Sequence, residues 1–331
     1  MSSGNNRILQ YSLAINEALR QMMLCDRTVF LIGQGVKSPW YVGNTTEGFL
    51  EEFGPERVID TPVSENAITG TAVGAALVGM RPVVVHPRMD FMMYAMDPII
   101  NEAANWHYMF GGRATVPIVI WSIINRGGEQ AAQHSQALHA LFAHIPGLKV
   151  VMPSTPYDAK GLMIAAIKDD NPVVYIDDRW LYRVEGEVPE EIYEVPIGKA
   201  IIRRTGKDIT LVATSYMVHE AMQAAKELAA EGIEAEVLDI RTLKPLDKDM
   251  ILESVKKTGR LVVADGGWKT CNIGAEISSL VFEEAFNYIK SPSARITLPD
   301  VPAPASSALE KVYYPTYLDI VKGIKKVIGY R

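Results

Sequence analysis

The chain has 331 residues with 48% hydrophobic and 22% charged content, which excludes a disordered or collagen-like polymer and provides core for two domains. A net charge of −6 and a pI near 5.6 exclude the basic footprint of a nucleic-acid or anionic-membrane binder. The two cysteines, Cys25 and Cys271, are far apart and form no CxxC, so neither a disulfide framework nor a zinc site is expected; a reducing cytoplasm fits. Met1 to Asn6 show no basic start followed by an apolar stretch, and no apolar run reaches the roughly 18 residues of a membrane span, so a cytoplasmic protein without a leader is expected.

Apolar residues at helical spacing predict a helix from Ile8 to Leu24, followed by a buried strand at Val29–Gly33. The alternation continues with a strand near Arg57 to Val63, a helix from Ser64, a strand at Pro82–Val85, a helix from Asp90 and a strand at Pro117–Trp121. Next come a strand at Leu148–Met152, a helix at Ala159–Ile167 and a strand at Val173–Ile176. Short apolar runs separated by helical patterns argue for a parallel sheet covered on both faces. Between Asp177 and Asp208 the texture turns to Pro, Glu and Tyr without either period, and the domain linker is placed there. A second alternating set follows: strand Ile209–Ala213, helix Tyr216–Ala230, strand Ala235–Ile240, helix Asp247–Lys257, strand Leu261–Ala264 and helix Gly274–Ile289. The expected fold is α/β with two doubly wound domains, over residues 1–185 and 207–331, joined by a linker at 186–206.

The glycine-rich turns do not make a nucleotide site. Gly33-Gln34-Gly35 follows a strand, but Ser38 stands where a dinucleotide fingerprint needs its third glycine, and no GxxxxGK[ST] occurs. The segment Asp60-Thr61-Pro62-Val63-Ser64-Glu65 says more: Pro62 stops the strand, Ser64 can cap the next helix, and Glu65 falls in its first turn. Read alone, Glu65 complements a helix dipole. The small residues that follow, Gly70 to Ala76, permit another backbone or subunit to pack closely over that carboxylate and bury it.

These segments, with Ala132-Gln133-His134-Ser135-Gln136, Ile145 to Val151, Asp158 to Gly161, Asn171 to Val174, Asp239 to Pro245, Gly274 to Ile277 and Leu309-Glu310, stand in a telling order. From about residue 7 to the end the chain resembles the beta subunit of the thiamine diphosphate-dependent decarboxylase component of pyruvate and branched-chain 2-oxoacid dehydrogenase complexes, within the transketolase-like superfamily. The resemblance implies that Glu65 hydrogen-bonds the aminopyrimidine ring of the cofactor and favours its imino form. A carboxylate suits this because it shares a proton strongly with a weakly basic ring nitrogen. Phe91, and Tyr94 beside it, match positions at the aminopyrimidine; read alone, Phe91 is a core residue of an amphipathic helix. His134 matches the histidine that faces the substrate and helps position or protonate it. Ala166, Asp169 and Asn171 match a turn that holds potassium in some members; read alone, it ends a helix.

The family binds the diphosphate through magnesium on a Gly-Asp-Gly motif in the alpha subunit. This chain has no such motif, and Asp265-Gly266-Gly267 lies in the wrong domain and order. The resemblance therefore implies an alpha-type partner holding magnesium, a two-plus-two heterotetramer, and a lipoyl-bearing acyltransferase as acceptor. The departures cluster around the implied pocket: Gln34-Gly35 in place of two acids, Trp121 to Gln130 in place of an Arg-x-Pro turn with glycines, Arg88, Asp90 and Tyr94 around Phe91, and Trp106-His107. Such clustering implies a more polar substrate than pyruvate or a branched-chain acid. A split transketolase-like carboligase and a non-catalytic scaffold subunit are the alternative readings.

Overall fold

The computed structural model describes residues 7–38 and 42–330; the reading of Met1 to Asn6 lies outside them. The chain divides into two compact units. The first comprises the described residues up to Arg126 together with Leu141–Ile197, and the second comprises Gly127–Ala140 with the described residues from Gly198 onward.

In the first unit the strands β2 (Val29–Gly33), β3 (Val58–Asp60), β4 (Arg81–His86), β5 (Val119–Ile124), β6 (Lys149–Val151) and β7 (Val173–Asp178) are all parallel, in the order β6-β7-β5-β4-β2-β3. β2, β5 and β7 are buried at every position, as strands covered on both faces must be. Helices α1 (Tyr11–Cys25) and α3 (Glu65–Leu77) precede β2 and β4, and α7 (Pro156–Lys168) precedes β7; α2 (Phe49–Phe53), α4 (Met89–Met92) and α5 (Ala104–Met109) are short, as is α6 (His139–His144), whose first two residues fall in the second unit. Pro156 stands at the start of α7, and Thr155 caps it by accepting from the Asp158 N–H, so this helix opens one turn earlier than its apolar spacing predicts.

The predicted helix start at Ile8 is corrected. Residues 7–10 form a strand, β1, antiparallel to β8 (Glu185–Val188), with Ile8 opposite Glu187. The helical spacing through Ile8 and Leu9 is a coincidence of two apolar residues beside a true helix. The same pairing corrects the featureless linker, since β8 and β9 (Ile201–Arg204) both fall within it. Both strands carry charged residues and are only partly buried, which hides the period-two signal.

The second unit has a five-stranded sheet in the order β14-β13-β10-β11-β9, from β10 (Ile209–Ala213), β11 (Ala235–Asp239), β13 (Leu261–Trp268) and β14 (Ala294–Leu298) with β9. Only β9 runs antiparallel to its neighbour. A short strand, β12 (Thr242–Lys244), follows β11, and α8 (Met217–Ala230), α9 (Lys248–Thr258) and α10 (Ile273–Ala285) complete the alternation. Its core joins Leu211, Val237 and Val262 of the sheet to Ala221 and Leu228 of α8 and to Ile320 and Ile324 of the last helix. Three elements after Ile289 escape the sequence reading: β14, α11 (Ser307–Tyr313) and α12 (Tyr317–Ile328). No helix among the described residues is long and apolar enough to cross a membrane.

Candidate active site

Parallel strands end together, and the polar residues of the first unit gather at their carboxyl ends, where open α/β sheets bind ligands. Gln34 follows β2, Asp60 ends β3, His86 ends β4, Asn125 and Arg126 follow β5, and Asp177 and Asp178 end β7. Pairings of Gly33 with Asp60, His86 with Ser122, and Ile124 with Asp178 set these ends in register. All of these polar residues except Asp60 are buried.

Glu65 is the first residue of α3 and only 8% exposed, yet its carboxylate has no hydrogen-bond or ion-pair partner among the described residues. The carboxylate is therefore available to a ligand or a neighbouring chain. Ser64 takes the N-cap position, but its side chain makes no cap hydrogen bond, which corrects the expected cap. One turn along α3, Thr69 Oγ1 hydrogen-bonds His86 Nε2 at 3.1 Å, and both residues are buried. This contact ties the helix that carries Glu65 to the end of β4. A Cβ added at Gly70 or Gly74 would meet no atom within 4 Å, so none of the described residues packs against these two positions of α3.

Phe91 lies half-buried in α4 (Met89–Met92), beside the buried Asp90. Tyr94 follows in a 3₁₀ turn at Met93–Ala95 and is 73% exposed. Asn125 Nδ2 donates to Pro87 O at 2.9 Å and so joins the segment after β5 to the one after β4. Arg126 Nε pairs with Asp178 Oδ2 at 2.6 Å, with both side chains almost wholly buried, and its guanidinium lies over the Trp180 ring at 5.5 Å. The atypical Trp121 to Gln130 stretch is thus fixed at its centre by an ion pair.

Among the buried groups with shifted protonation, His86 and Asp177 have opposite consequences for stability. Burial lowers His86 from 6.5 to about 4, so it is neutral at physiological pH. Its folded pKa is depressed, so its contribution to stability is whole above pH 6.5 and is lost as pH falls towards about 4. Burial raises Asp177 from 3.8 to about 7; Asp178 adds to this, and the Tyr182 hydroxyl and Trp121 indole offset it only in part. Asp177 therefore costs nothing below pH 3.8, and its cost grows as pH rises through about 7. Asp177→Asn is expected to raise Tm more at pH 8 than at pH 5; equal shifts in thermal melts at both pH values would contradict this.

His134 lies half-buried in the loop of residues 127–140, within the second unit, whereas Glu65, Phe91 and Tyr94 belong to the first. In the turn after α7, Asn171 N donates to Asp169 Oδ1 at 2.9 Å, Arg81 Nη1 donates to Ile167 O at 3.0 Å and to Asp169 O at 3.1 Å, and Lys149 pairs with the Asp169 carboxylate. Two cationic side chains already face the oxygens of this turn. Asp265 is enclosed by donors from His139, Thr214, Gly267 and Asn272, so Asp265-Gly266-Gly267 does not fit a magnesium site. No sequence signal marks His86, His139 or the Arg126–Asp178 pair, because a lone histidine or a distant charge pair leaves no periodic pattern.

This is a transketolase-type architecture. Residues 8–185 match the family described as "Transketolase, pyrimidine binding domain" and residues 198–320 match "Transketolase, C-terminal domain", so the chain belongs to that family. It is 47% identical to the acetoin:2,6-dichlorophenolindophenol oxidoreductase subunit beta of Cupriavidus necator, over 97% of this chain and 98% of that one. It is 44% identical to the Bacillus subtilis protein of the same name, over 98% of each chain. It is 45% identical to the pyruvate dehydrogenase E1 component subunit beta of Rickettsia felis, over 96% of this chain and 97% of that one. A solved structure entitled "Split gene transketolase, inactive beta4 tetramer" shares the fold, with a TM-score of 0.79 and 24% identity over 97% of this chain and 99% of that one. Within the family the chain sits among beta subunits of 2-oxoacid and acetoin dehydrogenase components, and membership implies dependence on thiamine diphosphate.

Proposed function

We propose that the chain is the beta subunit of a two-chain thiamine diphosphate enzyme that cleaves a 2-oxo substrate beside its keto carbon and passes the acyl unit to a lipoyl-bearing acyltransferase. The observation that carries this reading is Glu65, a buried carboxylate left without a partner at the start of α3. When bound, thiamine diphosphate supplies a nucleophilic carbon that adds to the keto group and accepts the electrons released on cleavage. Glu65 holds a proton at the aminopyrimidine ring, and Phe91 offers a face for that ring, with Tyr94 near it. His134 positions the substrate and moves a proton at its oxygen, a role typically contributing about 10²- to 10⁴-fold. An alpha-type chain supplies the magnesium and diphosphate contacts, in a two-plus-two assembly.

A potassium ion at Ala166, Asp169 and Asn171 would have to share the Asp169 oxygens with Arg81 and Lys149, which already contact them.

Two substrate classes fit. A 2-oxoacid follows from the relatives named pyruvate dehydrogenase, and a neutral hydroxyketone from those named for acetoin. The 47% identity to the Cupriavidus necator protein, against 45% to the Rickettsia felis one, leans to the hydroxyketone, whose cleavage releases an aldehyde instead of carbon dioxide. The carboligase reading has only a likeness of fold behind it.

The test is turnover of the assembled pair on acetoin, pyruvate, branched-chain oxoacids and ketose phosphates, each with and without a lipoyl domain. Lipoyl-dependent turnover with acetoin foremost is expected. Pyruvate clearly best would overturn the hydroxyketone reading, and transfer to an aldehyde without a lipoyl domain would overturn the acyltransferase step.

A further inference from the structure

We propose that His139 is a positioning residue that fastens the loop carrying His134 to the second unit's sheet through a buried pairing with Asp265. This rests on the reading of His134 as the substrate-facing histidine.

His139 is 1% exposed and Asp265 is wholly buried, with His139 Nε2 and Asp265 Oδ2 3.0 Å apart. Asp265 belongs to β13, a strand of the second unit's sheet. It also accepts from Thr214 Oγ1 at 2.5 Å, from Gly267 N at 3.0 Å and from Asn272 Nδ2. Burial alone would raise this carboxyl; the charge and hydrogen bond of His139, with Thr214 and the Gly267 N–H, outweigh it and hold Asp265 well below the usual carboxylate range. The acceptor is thus fixed and ionised. His139 Nδ1 is buried without a hydrogen-bond partner, so the Asp265 contact alone orients the ring. Space around it is tight: a Cβ added at Gly267 would lie 3.1 Å from His139 Cε1 and 3.0 Å from Asp265 Oδ2.

The upstream end of the loop is held separately. Gly127 N donates to the Tyr314 hydroxyl at 3.1 Å, Glu129 N donates to Glu310 Oε1 at 2.9 Å, and Ser307 N donates to Glu129 Oε1 at 3.1 Å. Ala131 to Gln136, with His134 among them, lie between these two fastenings. Holding both ends of a short segment removes most of its conformers, and a displacement of about 1 Å in a catalytic group can cost about 10²-fold in rate. Stability alone is a poor reason for the pairing, because buried ion pairs often contribute less than apolar residues of similar volume. A defined direction is what the pair provides.

The test compares His139→Leu, which keeps the volume and removes the pairing, with His139→Gln, whose amide N–H still reaches Asp265. Both are studied in the complex with the alpha-type chain. Hydrogen exchange is measured over residues 127–140 and 209–239, together with the Kd for thiamine diphosphate and the separate values of kcat and KM. For His139→Leu we expect faster exchange confined to 127–140, a kcat lower by about 10²-fold and an unchanged Kd. For His139→Gln we expect most of both the protection and the kcat to return. Unchanged exchange over 127–140, faster exchange spread through 209–239, or no recovery in His139→Gln would overturn the proposal. Exchange is read whether or not the complex turns over, so a wild-type complex that binds no thiamine diphosphate would sink the functional reading separately.

Discussion

Glu65→Gln is expected to lower the turnover of the assembled enzyme by about 10²- to 10⁴-fold while leaving the Tm of the chain unchanged. The substitution keeps the shape of the side chain and exchanges an ionisable oxygen for a neutral amide. In the folded chain the carboxylate meets no partner among the described residues, so no internal contact is lost and the fold has no reason to weaken. What is lost is a charge-assisted hydrogen bond to a weakly basic ring nitrogen, roughly twice as strong as its neutral counterpart. The competing view, that Glu65 only complements the dipole of α3, makes the opposite forecast: stability falls by about 0.3–1 kcal/mol and turnover holds. Thermal melts and steady-state rates on the same preparations separate the two. His86 and Thr69 bear on the outcome, because their 3.1 Å hydrogen bond fixes the helix that carries Glu65.

Much of this site can be read from the chain, and the unread part has a physical cause. β10 falls at the predicted Ile209–Ala213, because a buried parallel strand is a continuous apolar run. β1 and β8 are missed because each is short, partly charged and stabilised by the other across more than 170 residues, a pairing no local window contains. The last two helices follow Pro- and Ser-containing stretches that read as a tail. Glu65 is proposed through Pro62 and Ser64 ahead of it, and His134 through its Gln and Ser neighbours. His139 is not found, because its meaning lies in Asp265, 126 positions away. The same holds for Arg126 and Asp178, which take their roles from the ends of β5 and β7 standing in register.

On the proposed reading, the first unit holds half of a cofactor site. Glu65 and Phe91 offer an acid and a ring face for an aminopyrimidine, while nothing in the sequence provides the Gly-Asp-Gly motif for the diphosphate, and Asp265 is committed to four donors. A diphosphate without its metal and amide contacts would remain in water with its charge unmet, so the chain by itself should bind the cofactor too weakly to detect. Calorimetric titration of thiamine diphosphate with magnesium, into this chain alone and into its one-to-one mixture with an alpha-type chain that carries Gly-Asp-Gly, measures this directly. No heat from the single chain and saturable binding by the pair, with turnover appearing only in the pair, is the result expected. Tight binding by the single chain, or none by an assembled pair, would contradict the assignment.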